Sequence, residues 1–188
     1  LVGGLAVGTI IICTIMAAMT GIVGAAVDAM GILALPSMLA RRYDEPLALG
    51  AICAGGTLGI LIPPSVVTIV YAITAQISIG QMFIAGIVPG IILATAYCLY
   101  ILIRARLNPS LAPAPENVDD VTWRDKLLSL KTLILPTLVI FSVLGSIYMG
   151  FATPTEAAAV GVFGALISAA VSGRFKIKIL NDAATDTL

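Results

Sequence analysis

Positions 55–65 read GGTLGILIPPS, three glycines and two consecutive prolines inside a long uncharged run. Pro63 and Pro64 carry no N–H, so in a helix the carbonyls of Gly59 and Ile60 would lose their donors. The glycines lower the cost of leaving helical φ/ψ altogether, which puts Gly56, Thr57 and Gly59 in an unwound segment with Pro63, Pro64 and Ser65. Carbonyls without donors at membrane depth suit a small hard cation such as Na+, and a helix restarting near Ser65 would offer N–H groups to an anion. The competing reading is a proline kink, its freed carbonyls taken by neighbouring helices or by Ser and Thr hydroxyls. A second interruption, TGIVGAA at 20–26, divides another apolar run into two short arms. If the arms form a re-entrant hairpin, Thr20 and the backbone around Gly21 and Gly24 would face the break at 56–65. The alternative is an ordinary pair of spanning helices packed through small residues.

Single charged residues carry the remaining chemistry. Asp28 is the only charge in residues 1–40, and Glu156 the only one in 132–173. A membrane carboxylate is costly and faces a cavity or a partner, so Asp28 is a candidate for binding an ion or a proton; a wetted hairpin base would explain it as well. Glu156 has a structural explanation, since Thr153, Pro154 and Glu156 read as N-cap, N1 and N3 of a capping box. Cys13, Cys53 and Cys98 read as small apolar fillers, and Met16, Met19 and Met30 as packing residues. The chain has no His and no Lys in its apolar blocks, and its two isolated acids do not pair. Intramembrane serine and aspartyl proteolysis are therefore excluded, and the chain is not read as an enzyme. It has no P-loop and no organic-cofactor motif.

These residues need a membrane to position them. Of the 188 residues, 60% are apolar and 11% charged, with a mean hydropathy of +1.10. That lies outside the soluble class, and the composition excludes disorder, a disulfide scaffold and a nucleic-acid surface. No charge occurs in residues 46–103. A spanning helix needs about 20 apolar residues. The expected organisation is all-α: a re-entrant hairpin over 1–40, a broken transmembrane helix over 46–77 and a transmembrane helix over 83–104. A cytoplasmic loop over 105–131 follows, then two spans within 132–172 and a polar end over 173–188. Pro109, Pro113 and Pro115 stiffen the first half of the loop. In its second half, Trp123, Leu127, Leu128 and Leu130 among Arg124, Asp125 and Lys126 suit a short helix lying on the membrane surface. All ten Lys and Arg fall in 41–42, 104–131 and 174–178. Counting crossings puts the three groups on one face, cytoplasmic by the positive-inside rule, if 46–77 crosses once. Leu at position 1 and a polar tail suggest a fragment.

The run AGGTLGILIPPSVVTIVYA (54–72) with SIGQMFIAGIVPG (78–90) closely resembles the large membrane subunit of tripartite ATP-independent periplasmic (TRAP) transporters. LVGGLAVGTIIIC at the start and GFATPTEAAAVGV (150–162) resemble the same family in the same order. The resemblance covers about residues 1–175. It implies an elevator-type secondary transporter of the bacterial inner membrane, built of two inverted repeats, each supplying a sodium site. A Na+ gradient would drive import of a small organic anion, carboxylate in type. A periplasmic binding protein would deliver the anion, and a small membrane subunit would brace the permease. By position, Thr20, Gly21 and Gly24 match the hairpin tip, and Gly56, Thr57, Gly59, Pro63, Pro64 and Ser65 the unwound segment. Backbone oxygens around Gly21, Gly59 and Ile60 would then hold Na+. The family tip is commonly Ser-Gly-Ser-Ser followed by Ala-Thr. This chain has Thr-Gly-Ile-Val-Gly-Ala-Ala, which shifts coordination from hydroxyls to carbonyls and is similar to the mannitol or chloroaromatic branch. Residues 173–188 would begin the second repeat. A membrane scaffold that does not transport is the alternative, and it has no use for free backbone at mid-bilayer.

Overall fold

The structure is a computed structural model that describes residues 2–113, 123–171 and 185, with side chains of the second segment described from residue 134. The described residues are helical and fall into two compact units, which divide at residues 122 and 123. The protein is an all-α integral membrane protein. Four stretches are long and apolar enough to cross a bilayer: Val23–Ala40, Glu45–Thr74, Ile79–Leu107 and Pro154–Val171. Large apolar side chains on these helices face outward, as expected where lipid rather than water is the solvent.

The first unit opens with α1 (Gly4–Thr20), which ends at Gly21. Its return arm consists of α2 (Val23–Leu33) and α3 (Leu35–Ala40). Asp44 then caps α4 (Glu45–Leu61), its carboxylate accepting the Leu47 N–H at 3.3 Å. Pro63 and Pro64, joined by a cis peptide bond, separate α4 from α5 (Val66–Thr74). Ser65 caps α5 and Ser78 caps α6 (Ile79–Leu107). The cap at Ser78 starts α6 four residues before the expected span at 83. Arg104 and Arg106 close its last turn, where cations complement the helix dipole. A 3-10 turn, Pro109–Leu111, follows.

Backbone bonds gather one end of this unit. The Gly3 N–H donates to the Ala112 carbonyl at 3.3 Å, and the Asp44 N–H donates to the Leu111 carbonyl at 2.9 Å. The start of α1, the start of α4 and the end of α6 therefore share one end, which also holds Arg41, Arg42, Arg104 and Arg106. Ala6, Ile10, Met38, Tyr43, Ala48 and Leu58 form the buried core between them. Small residues dominate the contact of α1 with α4, so the two backbones approach closely.

The second unit is a helical hairpin, α7 (Trp123–Tyr148) and α8 (Pro154–Val171). Gly161 and Gly164 of α8 lie against Val143 and Val139 of α7. One helix runs through the point near residue 131 where a surface helix and a span were expected to part. A lone proline, Pro136, is accommodated inside it. Residues 173–188 fall outside the described residues except for Thr185.

Candidate functional site

The two interruptions expected from the sequence meet in space. Gly21 ends α1 in the left-handed region, φ 63, its N–H bonded to the Ala17 carbonyl at 2.8 Å. Its own carbonyl accepts the Val66 N–H, the first donor of α5, at 3.4 Å. A Cβ on Gly21 would stand 2.6 Å from the Pro64 carbonyl oxygen and 3.3 Å from the Ser65 Cα. Two independent demands, the positive φ and the backbone contact, thus select glycine here. α4, at 17 residues, extends about 25 Å from the cationic end to the break, and α5 continues for about 14 Å beyond it. The hairpin tip therefore stops at the level of the break, with α5 running past it.

The break is shorter than the glycine pattern suggests. Gly56, Thr57, Gly59 and Ile60 all lie within helical α4, and only residues 62–65 leave it. The expectation of unwinding from Gly56 onward is corrected here, and the reason is packing. A Cβ on Gly55 would meet Cys13, one on Gly56 would collide with the Val27 side chain, and one on Gly59 would press on Ala17 at 3.3 Å. These glycines let α4 sit between the two arms of the hairpin. Across the break, Gly86 and Gly90 of α6 do the same for Leu61 and Ile62; a Cβ on Gly86 would lie 2.5 Å from the Leu61 carbonyl oxygen. The spacing of Gly86 and Gly90, four residues apart on one helix face, was the available signal for this contact.

Hydrogen bonding at the break can be followed atom by atom. The Ile62 N–H reaches back to the Leu58 carbonyl at 2.8 Å. Residues 63 and 64, which would serve Gly59 and Ile60, have no N–H. Ile60 recovers a partner: its carbonyl accepts the Thr68 hydroxyl at 3.2 Å. Thr68 was not singled out from sequence, although a hydroxyl one turn after a helix restart is placed to reach back across two prolines. Among the described residues, no donor is directed at the carbonyls of Gly59, Pro63 or Pro64. Ser65 is 1% exposed, and its hydroxyl accepts the Thr68 N–H at 3.5 Å. With the Val66 and Thr68 N–H groups already engaged, the anion-binding face expected at the start of α5 narrows to the Ser65 and Val67 N–H groups.

The other candidates divide. The Thr20 hydroxyl lies 3.0 Å from the Met16 carbonyl and 3.3 Å from that of Ile22, so it turns back on its own helix end. The Thr57 hydroxyl donates to Ala54 at 2.7 Å on an exposed face. Gly24 opens α2 with no atom near its Cβ position. Asp28 is exposed on α2, two turns from the tip, and is not part of the contact. The structure thus brings together Gly21, Gly59, Ile60, Pro63, Pro64 and Ser65 and leaves Thr57, Gly24 and Asp28 aside. Among the described residues, no three His, Cys, Asp or Glu side chains come together. A cation at this place would depend on carbonyls and hydroxyls, which suits Na+ and not a transition metal.

Comparison with known proteins supplies the remaining context. A family model described as the tripartite ATP-independent periplasmic transporter, DctM component, matches residues 1–188. The C4-dicarboxylate TRAP transporter large permease protein DctM of Pseudomonas aeruginosa is 40% identical over 167 residues, covering 88% of this chain and 38% of that protein. The isethionate TRAP transporter permease protein DctMQ of Oleidesulfovibrio alaskensis is 35% identical, covering 88% of this chain and 25% of the relative. The ectoine TRAP transporter large permease protein TeaC of Halomonas elongata is 34% identical, with 88% and 38% covered. The chain thus spans about two-fifths or less of the length of these relatives.

Proposed function

This chain belongs to the DctM component family of tripartite ATP-independent periplasmic transporters, and from that premise we propose that it forms part of a Na+-coupled permease importing a small organic anion. Like its relatives it is a multi-pass membrane protein of the inner membrane, and not an enzyme. The observation that carries the reading is the docking of the Gly21 tip on the Pro64 and Ser65 backbone beside carbonyls that no donor serves. Unserved carbonyls cost several kcal/mol in lipid unless something polar reaches them. A monovalent cation would do so, held by the backbone oxygens of Gly59, Pro63 and Pro64. The second lone pairs of Gly21 and Ile60 are available to complete its shell. In this reading residues 2–40 are a re-entrant hairpin entering from the cytoplasmic side, and Gly21 closes the ion site by contact.

The chain's own residues fix the geometry of such a step. The Ser65 cap holds the start of α5, and Thr68 ties Ile60 to α5 across the break. Gly86 and Gly90 let α6 support the same segment from behind. A cation here would neutralise part of the charge of a carboxylate bound alongside, which couples the two solutes. The relatives' names span a C4-dicarboxylate, isethionate and ectoine, which supports a small organic solute as cargo. A small membrane subunit and a periplasmic binding protein complete the system in this proposal.

The test is uptake by the complete transporter, with its small subunit and binding protein, in proteoliposomes supplied with a panel of small carboxylates. Accumulation should require an inward Na+ gradient and collapse when K+ replaces Na+. Equal accumulation under the two gradients would overturn sodium coupling.

A further inference from the structure

A cavity of about 530 Å³ lies between α1, α4 and α6 at the cationic end, away from the tip and the break. Its lining runs along α4 from Asp44 to Ala54, about 15 Å, and along α6 from Ala96 to Arg104, about 12 Å. Both helices are long enough to span, so the long axis of the cavity follows the bilayer normal. Its two ends differ in chemistry. Ile10, Ala51 and Ala54 line the inner part, and Asp44 and Arg104 the mouth, where the spans of α4 and α6 begin and end. Tyr97 and Tyr100 lie on the same face of α6 as Arg104, about two turns and one turn deeper along the slot.

The mouth presents both signs of charge. Asp44 and Arg104 line one cavity, yet no ion pair joins them, and the Arg104 side chain makes no hydrogen bond or ion pair among the described residues. One oxygen of Asp44 accepts the Leu47 N–H, which leaves the other open. A carboxylate and a guanidinium held apart at the head of an apolar slot match a zwitterion on a hydrocarbon chain. An anionic headgroup would satisfy Arg104 but set its charge beside Asp44. A free phosphate would leave the slot empty.

We infer that this cavity binds one phospholipid of the cytoplasmic leaflet whose headgroup carries a primary ammonium, with phosphatidylethanolamine as its simplest form. The ammonium pairs with Asp44, the phosphate with Arg104, and one acyl chain fills the slot toward Ala54. Gly50 supplies a clean probe, because it lines the cavity and a Cβ there meets no atom within 4 Å. Gly50→Leu would occupy the slot without disturbing the backbone.

The experiment is native mass spectrometry of the full-length permease in complex with its small subunit, released from mild detergent with equal phosphatidylethanolamine and phosphatidylglycerol added. The wild-type protein should retain the ethanolamine lipid preferentially, and Gly50→Leu should lower that adduct by about fivefold or more. Asp44→Asn keeps an N-cap and should erase the preference between the two lipids. Arg104→Gln should weaken both. An unchanged ethanolamine adduct in Gly50→Leu would show that protein, not lipid, fills the slot, and would overturn the inference. An equal preference for the two lipids in the wild-type protein would overturn it as well, and the Asp44→Asn comparison holds even if the leucine variant fails to assemble.

Discussion

The chain interrupts its helices in two ways, at residues 62–65 and at residues 149–153, and the two places solve the same problem oppositely. Between α7 and α8 the backbone donors find partners. The Met149, Gly150, Phe151 and Ala152 N–H groups return to carbonyls of the last turn of α7. Glu156 accepts both the N–H and the hydroxyl of Thr153 at 2.8 Å, and the Glu156 N–H donates back to the Thr153 hydroxyl at 3.4 Å. The backbone N–H groups of residues 149–153 are thus all engaged. Between α4 and α5 two imino acids withhold donors, one carbonyl is recovered by Thr68, and others stay open beside a docked hairpin tip. The lesson is that proline alone does not make a site. Pro89 and Pro136 sit inside unbroken helices, each removing a single N–H.

The sharpest way to break the comparison uses two glycines with matching backbones. Gly21 has φ 63 and Gly150 has φ 73. Alanine at either costs about 1–2 kcal/mol of left-handed strain. Only at Gly21 does the added Cβ meet backbone, the Pro64 carbonyl, whereas at Gly150 it meets nothing within 4 Å. Gly21→Ala should therefore lower Na+-driven uptake by the complete transporter by at least about a hundredfold, a loss of about 2.7 kcal/mol. Gly150→Ala should lower the melting temperature by a few degrees and leave uptake within about twofold. Equal effects would mean that the tip contact has no functional weight.

Next in size is the double variant Pro63→Ala with Pro64→Ala, which returns N–H donors to Gly59 and Ile60. It should reduce Na+-dependent uptake by at least about tenfold, about 1.4 kcal/mol, while insertion and yield stay normal. Pro136→Ala, the control in an unbroken helix, should leave uptake unchanged. Transport that survives the double variant would make the break a kink and nothing more.

How much of this was legible beforehand depends on whether the deciding interaction was local. The Thr153 and Glu156 box spans four residues, and the sequence shows it whole. The helical class, the break at Pro63 and Pro64 and the tip at Gly21 were also legible, because composition, missing N–H groups and glycine punctuation are properties of short segments. The roles of Gly56 and Gly59 were not. A glycine that unwinds a helix and one that admits a neighbour look the same in one dimension, and the choice is made by Val27 and Ala17, dozens of residues away. Thr68 was hidden for a related reason, since its hydroxyl bonds across eight positions. That α7 begins at Trp123 was not legible, because Trp123 among charges suits either a surface helix or the first turns of a longer one.

Thr68 gives the next prediction. Thr68→Val removes the hydroxyl that holds the Ile60 carbonyl and keeps nearly the same volume. It frees an oxygen that an ion could use but loosens the tie between α4 and α5. If the tie positions the carbonyl, half-saturation by Na+ in the uptake assay should rise by about three- to fivefold with little change in maximal rate, and Thr68→Ser should restore it. A lowered half-saturation would instead mean that the hydroxyl competes with the ion.

The smallest effect belongs to the closed interruption. Glu156→Ala removes the acceptor for Thr153 and exposes two donors, one on the backbone and one on the side chain. Loss of such a cap costs about 1 kcal/mol, which should lower the melting temperature by a few degrees. Glu156→Gln keeps an amide oxygen at the same place and should recover most of that loss. Neither substitution should move the Na+ titration of uptake, because Thr153 and Glu156 bond to each other within the turn. A shifted titration in Glu156→Gln, with stability unchanged, would mean that the carboxylate charge acts on transport beyond its part in the cap.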